Sequence, residues 1–407
     1  MHSFLIRLIV VVGLIGTGSA IAVEAPSAVG QYNLPGKPPY LLAHYMQWYS
    51  TPWSATNGTS VDRTAPIWSH WKWDGGEAHH DPAQKLPDGR RNIASIIYPL
   101  IGVYDSSSPA VLHYHLATLK AAGVSGVTTI WYGPGSDTDK RLPLMLDEAE
   151  KLQMKVAICY EEKLNFAGYR HPKTRADIVK SCTADMAYII EKYANHPAYL
   201  RRNGLPVVEQ FNGFGKSEIG EHQLSPDEFK QVFAALPTKL AYIRQNLDKS
   251  YHPLIPGAYV WCELKDWPKQ FAGYSAELRE KGQLEFFMAM VCPGFDDTGV
   301  WGWGAGPRKK GYGMNVLKKT MDQALDHDPE LVQLVTWNDF NEATCFEPTT
   351  QYGYQSIDAL EQWWGQKTGR AVDLKDNRRP FEEYRKSCSE AERAEIPAAA
   401  EKIVKGK

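Results

Sequence analysis

The chain lacks most of the signatures that would assign a sequence to a class at once. None of its six cysteines forms a CxxC pair, which argues against zinc-ribbon and thioredoxin-like readings. Its charge is nearly balanced, 45 Lys and Arg against 47 Asp and Glu for a net −2, so it is not a basic nucleic-acid binder. No Gly-rich GxGxxG turn follows the first candidate strand, which lowers a dinucleotide-binding reading. No internal repeat or low-complexity linker divides the chain. After the first 22 residues no apolar run is long enough to span a membrane. With 43% hydrophobic and 23% charged residues, the chain can bury a large core and is not disordered.

The N-terminus has its own pattern. Arg7 precedes the apolar run Leu8–Ile15, and Ala20-Ile21-Ala22 supplies the small residues of a cleavage site. We expect residues 1–22 to be a signal peptide and the mature protein to be secreted or periplasmic, with no membrane span. Export permits disulfides. However, the spacings of Cys159, Cys182, Cys262, Cys292, Cys345 and Cys388 identify no pair, and Cys159, Cys262 and Cys292 read as small buried hydrophobes. Asn57-Gly58-Thr59 is a glycosylation sequon. Residues 23–388 read as one domain, and residues 389–407 as a polar tail, frayed or disordered.

What the chain has in excess is rings, 13 Trp and 21 Tyr among 407 residues. Between them runs an alternation of short apolar runs and amphipathic stretches. The strand candidates are Leu41–Tyr49, Gly126–Tyr132, Lys155–Glu161, Pro206–Asn212, Gly257–Cys262, Phe286–Cys292 and Leu331–Trp337. Helical spacing recurs in Pro109–Ala122, Leu142–Leu152, Ala176–Tyr193, Pro226–Leu247 and Val316–Leu325. This is the pattern of an α/β protein with a parallel sheet. It predicts a single (β/α)8 TIM barrel whose eighth strand lies between residues 264 and 284, with a doubly wound open sheet as the alternative. Residues 50–100, with Trp53, Trp68, Trp71 and Trp73, read as a long first βα loop over the barrel mouth. His79-His80 on this loop is not read as a metal site.

In a parallel barrel, functional groups collect where strands end. Those ends carry His44, Tyr45 and Trp48; Trp131 and Tyr132; Glu161 and Glu162; Trp261 and Glu263; Asp296 and Asp297; and Trp337-Asn338-Asp339-Phe340-Asn341-Glu342. Carboxylates and rings meet there while Lys and Arg are scarce, which favours a neutral polyhydroxylated ligand. Asp339 and Glu342 lie three apart. In a strand such positions face opposite sides, so both enter one pocket only if the chain turns near Phe340. Two neighbouring carboxyls, one protonated and one ionised, are what glycoside hydrolysis requires. Alternatively, one caps the next helix and the other is solvated. Glu161 could equally pair with a lysine, Trp131 pack in the barrel, Asp297 cap a turn and His44 be a satisfied core histidine. Trp363 and Trp364 read as helix packing.

Several segments resemble the glycoside hydrolase family 71/99-like proteins: Arg91–Ser95, Tyr98–Ser106, Val127–Gly133, Val156–Glu162, Pro293–Asp297 and Thr336–Pro348. They fall in the family's order across roughly residues 41–360. The resemblance implies a (β/α)8 barrel and hydrolysis of α-glycosides with no cofactor or metal. It implies a general acid at Glu342 and, at Asp339, the carboxylate thought to deprotonate a sugar 2-hydroxyl. It places Glu161 near the cleaved bond, and Tyr45 and Trp131 as sugar-contacting rings. Asn338 and Glu347 match the same frame. With His44 and Asp297 from the strand ends, these make up the candidate substrate-binding set. Asp339 is one methylene shorter than the family 99 residue, and Trp337–Glu342 is closer to the family 71 pattern. The substrate implied is therefore an α-mannan, an α-1,3-glucan or another α-linked glycan, bound by a monomer. A non-catalytic glycan-binding protein on the same barrel is the rival reading.

Overall fold

The computed structural model describes residues 30–53, 67–165, 170–245, 248–262, 264, 267–326 and 328–406. The leader-like segment, the sequon and Glu263 lie outside the described residues.

Eight strands close into a ring: β1 (Tyr40–Tyr45), β2 (Gly126–Trp131), β3 (Lys155–Glu161), β4 (Leu205–Phe211), β5 (Ala241–Gln245), β6 (Gly257–Tyr259), β7 (Phe286–Val291) and β8 (Leu331–Leu334). Each pairs in parallel with the next, and β8 returns to β1 with Leu331 opposite Tyr40. The chain is therefore a (β/α)8 barrel, not an open sheet. Seven helices follow strands: α1 (Pro109–Ala121), α2 (Asp137–Lys151), α3 (Arg175–Lys192), α4 (Pro226–Ala234), α5 (Trp267–Glu280), α6 (Met314–Ala324) and α7 (Gln355–Thr368). Between β5 and β6 the described residues form only a single 3₁₀ turn, Lys249–Tyr251.

The strand that the sequence did not reveal is β5, and it lies inside the stretch predicted as a helix from Pro226 to Leu247. The expected position, residues 264–284, holds α5 instead. Helix α4 ends at Ala234, before Pro237, which has no N–H to donate and disfavours helical geometry in the residue before it. Beyond it, Ala241 and Ile243 point into the barrel and Tyr242 into the helix layer, so burial on both faces hid the strand's alternation.

That alternation sorts every strand. Tyr40 and Leu42 fill the barrel interior with Ala157, Val207, Tyr259, Phe286 and Met288, whereas Leu41, Ala43 and Tyr45 pack outward against the helices. The segment after residue 388, expected to be an unpacked tail, forms two short helices, Glu390–Arg393 and Ala400–Val404. It docks on the first βα loop, where Arg91 donates through Nε and Nη2 to both oxygens of Glu395, each at 2.7 Å.

Candidate active site

The loop after β8 is a tight excursion rather than a continued strand. Trp337 N–H still donates to His44 C=O at 2.7 Å, extending the β1 pairing. Then Asp339 N–H donates to Thr336 Oγ1 at 2.8 Å and Thr344 N–H to Asp339 C=O at 3.2 Å, so the chain folds back within a few residues. The Asp339 carboxylate accepts from Glu342 N–H at 3.0 Å. This turn is what lets residues three apart share one wall, and both carboxyls line a cavity of about 980 Å³ at the C-terminal mouth of the barrel.

Their environments differ. Asp339 is 2% exposed, and burial together with the Glu342 charge raises its pKa well above the usual carboxylate range. Burial also raises Glu342, but Trp303, Arg308 and Lys310 oppose it. Trp303 Nε1 donates to Glu342 Oε1 at 3.1 Å, and Arg308 Nη2 lies 3.7 Å from the same oxygen. Arg308 is fixed by Asp297, which is wholly buried and accepts from Arg308 Nε at 2.7 Å. The two carboxyls titrate as a pair.

The structure divides the remaining expected residues. His44 and Glu161 line the cavity. Glu161 sits 3.5 Å from Lys163 Nζ, and its Oε2 has no hydrogen-bond partner among the described residues. The other five do not line it. Tyr45, on the outward face of β1, donates or accepts through its hydroxyl at 2.7 Å from His115 Nδ1 on α1. Trp131 ends β2 facing α2, where its Nε1 donates to Asp139 at 3.0 Å. Both are fully buried, and the strand period that brings their neighbours inward turns them outward. Asn338 ties β8 to β1, accepting from Met46 N–H at 2.8 Å and donating to Met46 C=O at 3.0 Å. Glu347 accepts from Tyr104 at 2.8 Å behind the sheet. Asp297 acts on the cavity through Arg308.

The rings are redistributed too. Of those expected at the mouth, Trp48, Trp73 and Trp261 line it, whereas Trp71, Trp131 and Trp337 are wholly buried. Tyr132 and Phe295, at strand ends in the sequence, line it too, together with rings whose positions in sequence gave little signal: Phe211, Phe214 and Trp303. One wall is a chain of edge contacts, His44 to Trp261 at 4.7 Å, Trp261 to Phe211 at 5.2 Å and Phe211 to Phe214 at 5.7 Å between centroids. On the first βα loop, Trp48 stacks on His70 at 3.9 Å. Burial lowers the His70 pKa to about 3, so this imidazole is neutral. Cations are not scarce here, as the strand ends had suggested. Arg141 on α2, Lys163 in the turn after β3, and Arg308 and Lys310 on the hairpin that pairs Gly294–Asp296 with Lys309–Tyr312 line the cavity, rather than residues of the barrel-strand ends.

Beneath the floor, the Gln333 amide donates to both Glu209 oxygens at 2.9 and 2.8 Å and to Thr128 Oγ1 at 2.9 Å. His44, Cys159 and Glu209 place ligand-type atoms within 4.8 Å of one another. The Gln333 amide nitrogen already sits between His44 and Glu209, so this trio is occupied by a neutral donor.

Comparisons with known proteins agree with this architecture. The chain is 26% identical over 364 residues to glycoprotein endo-alpha-1,2-mannosidase of Rattus norvegicus, covering 81% of this chain and 72% of that protein. It is 26% identical over 358 residues to the Mus musculus protein of the same name, covering 79% of this chain and 71% of that one. The GH99 endo-alpha-mannosidase from Bacteroides thetaiotaomicron shares its fold, with a TM-score of 0.60 at 18% identity over 87% of this chain and 100% of that one. The profile of glycosyl hydrolase family 99 matches residues 37–362, the whole barrel and its cavity, and the chain belongs to that family.

Proposed function

We propose that this glycoside hydrolase cleaves α-linked mannose glycans internally, with Glu342 as general acid and base and Asp339 as the partner carboxylate. The observation that carries this reading is the placement of two buried, electrostatically coupled carboxyls on one wall of a ring-lined cavity. The names of the related mannosidases support the choice of sugar.

Before a glycan binds, Arg308 and Trp303 favour the ionised form of Glu342, leaving the shared proton to Asp339. A sugar hydroxyl donating to Asp339 favours the Asp339 anion instead and shifts the proton to Glu342. In that state Glu342 protonates the leaving oxygen while Asp339 withdraws the proton from the 2-hydroxyl, whose oxygen attacks the anomeric carbon. Glu342, now ionised, then activates the water that opens the resulting anhydro-sugar. The rings cover the apolar C–H faces of the sugars and exclude water. The leader-like N-terminus supports action outside the cytoplasm, and one chain supplies every residue invoked, as a monomer requires.

The test is release of oligosaccharides from α-mannan, with α-1,3-glucan in parallel. Glu342→Gln is expected to keep the fold and lower turnover on the order of 10³-fold. Wild-type turnover in that variant would refute the assignment. Glycan binding without release of any product would favour the purely binding reading, and cleavage of the glucan alone would replace the sugar.

A further inference from the structure

The six cysteines, which sequence spacing left unpaired, are not equivalent in space. Cys262 follows β6 and Cys292 follows β7, the adjacent strand, and their sulfurs are 3.6 Å apart. The contact places Cys262 Sγ within van der Waals reach of a second thiol. Cys292 is held firmly, because its N–H donates to Thr320 Oγ1 on α6 at 3.1 Å and its C=O accepts from the same hydroxyl at 3.0 Å. Cys262 is held in the left-handed region, with a φ of 30° that a non-glycine residue rarely adopts. Its C=O accepts from Lys310 Nζ at 3.5 Å. Cys262 also borders the cavity, beside Trp261, whereas Cys292 lies behind it. The pair thus joins the end of the strand that carries Trp261 to the end of the strand that leads to Phe295 and Asp297. These are two separate parts of the cavity wall. Among the other cysteines, Cys159 lies at the barrel floor near Glu209, Cys182 on α3 near Tyr160, and Cys388 beside Arg393. Cys345 is the remaining one near Cys292.

We propose that Cys262 and Cys292 form a disulfide that ties these two strand ends together at the rim of the cavity. The two thiols give up two protons and two electrons to a disulfide oxidant. The Cys262 thiolate attacks one sulfur of the oxidant and releases its first thiol. Cys292 then attacks Cys262 Sγ, closing the intramolecular bond and releasing the second thiol. Cys262 is the entry point because it borders the cavity, and Cys292 is the resolving partner. The bond closes a loop of about 30 residues that includes α5, so it restricts the unfolded chain strongly. The inference does not depend on which glycan the cavity takes.

The test uses the full chain, reduced and then incubated with 2-hydroxyethyl disulfide, a small neutral oxidant. The protein is then acid-quenched, denatured and alkylated before intact mass and peptide mapping. The expected result is four alkylated cysteines without reduction, six after reduction, and a cross-linked peptide joining Cys262 to Cys292. The oxidised form is expected to melt several degrees higher than the reduced form. Cys292→Ser is expected to stop at a single mercaptoethanol adduct on Cys262, and Cys262→Ser to leave Cys292 unmodified. Six alkylated cysteines after oxidation would overturn the proposal. So would a Cys292–Cys345 linkage, or a mercaptoethanol adduct that persists on Cys262 in the otherwise unchanged chain.

Discussion

Arg308 reaches to 3.7 Å from Glu342 Oε1 only because Asp297, buried and eleven residues earlier, accepts from its Nε and backbone N–H. A half-exposed arginine on a hairpin is thereby made a fixed charge beside a buried carboxyl. Removing it takes away a cation that favours ionised Glu342. In Arg308→Met the Glu342 pKa is expected to rise further, because that lowering charge is gone. A general acid with a higher pKa stays protonated longer as pH rises, so the alkaline limb of the rate profile moves to higher pH. Asp297→Asn is expected to move it the same way by less, since Arg308 keeps its charge but loses its anchor. An unmoved alkaline limb in Arg308→Met would show that Arg308 does not act on the titrating pair.

The placement of the rings separates two groups of variants. Trp261 forms cavity wall against His44, at 4.7 Å between centroids. Trp261→Ala is expected to raise KM about fivefold, since stacking on a ring is worth about 1 kcal/mol. Tyr45→Phe removes a buried hydrogen bond to His115 and is expected to cost about 1 kcal/mol of stability while leaving kcat and KM unchanged. A raised KM in Tyr45→Phe would put that ring in contact with substrate.

Glu162, next to the cavity residue Glu161, is fully buried and accepts from Gly213 N–H at 3.1 Å and Leu224 N–H at 2.5 Å. Burial outweighs these donors and raises its pKa from 4.5 to about 7. The folded protein therefore holds a proton that the unfolded chain releases between these two values. Below about pH 4.5 the group is neutral in both states and costs nothing. As pH rises to about 7, stability falls, in total by about 3 kcal/mol, and it stays lower above that. Melting temperature followed from pH 4.5 to 8 should show this decline in the wild type. Glu162→Gln should flatten it.

Arg91 binds both oxygens of Glu395 and so holds the C-terminal segment to the loop that carries Trp48 and His70. Arg91→Ala leaves Glu395, 8% exposed, with Lys85 Nζ at 3.6 Å as its remaining cation, and a loss of about 2 kcal/mol is expected. Limited proteolysis should then cut within residues 389–406 faster than in the wild type. Unchanged cleavage there would show that the segment docks without this ion pair.

Local pattern was enough to read much of this protein. Short apolar runs between amphipathic stretches indicated a barrel, and seven of its eight strands could be placed from them. The Asp339–Glu342 spacing at the end of β8, in the frame Thr336–Pro348, pointed to paired carboxyls because the turn that joins them is encoded within those few residues. Four things were decided only in three dimensions. The face on which Tyr45 and Trp131 lie depends on strand register, which one residue's shift reverses. Strand β5 is buried on both sides, so its pattern alone cannot be told from a helix. Arg308 and Lys310 come to the carboxyls from a hairpin about thirty residues away along the chain. Cys262 and Cys292 meet because β6 and β7 are neighbours in a closed ring. Contacts that follow the chain can be read along it, whereas those that cross the barrel exist only once all eight strands have closed.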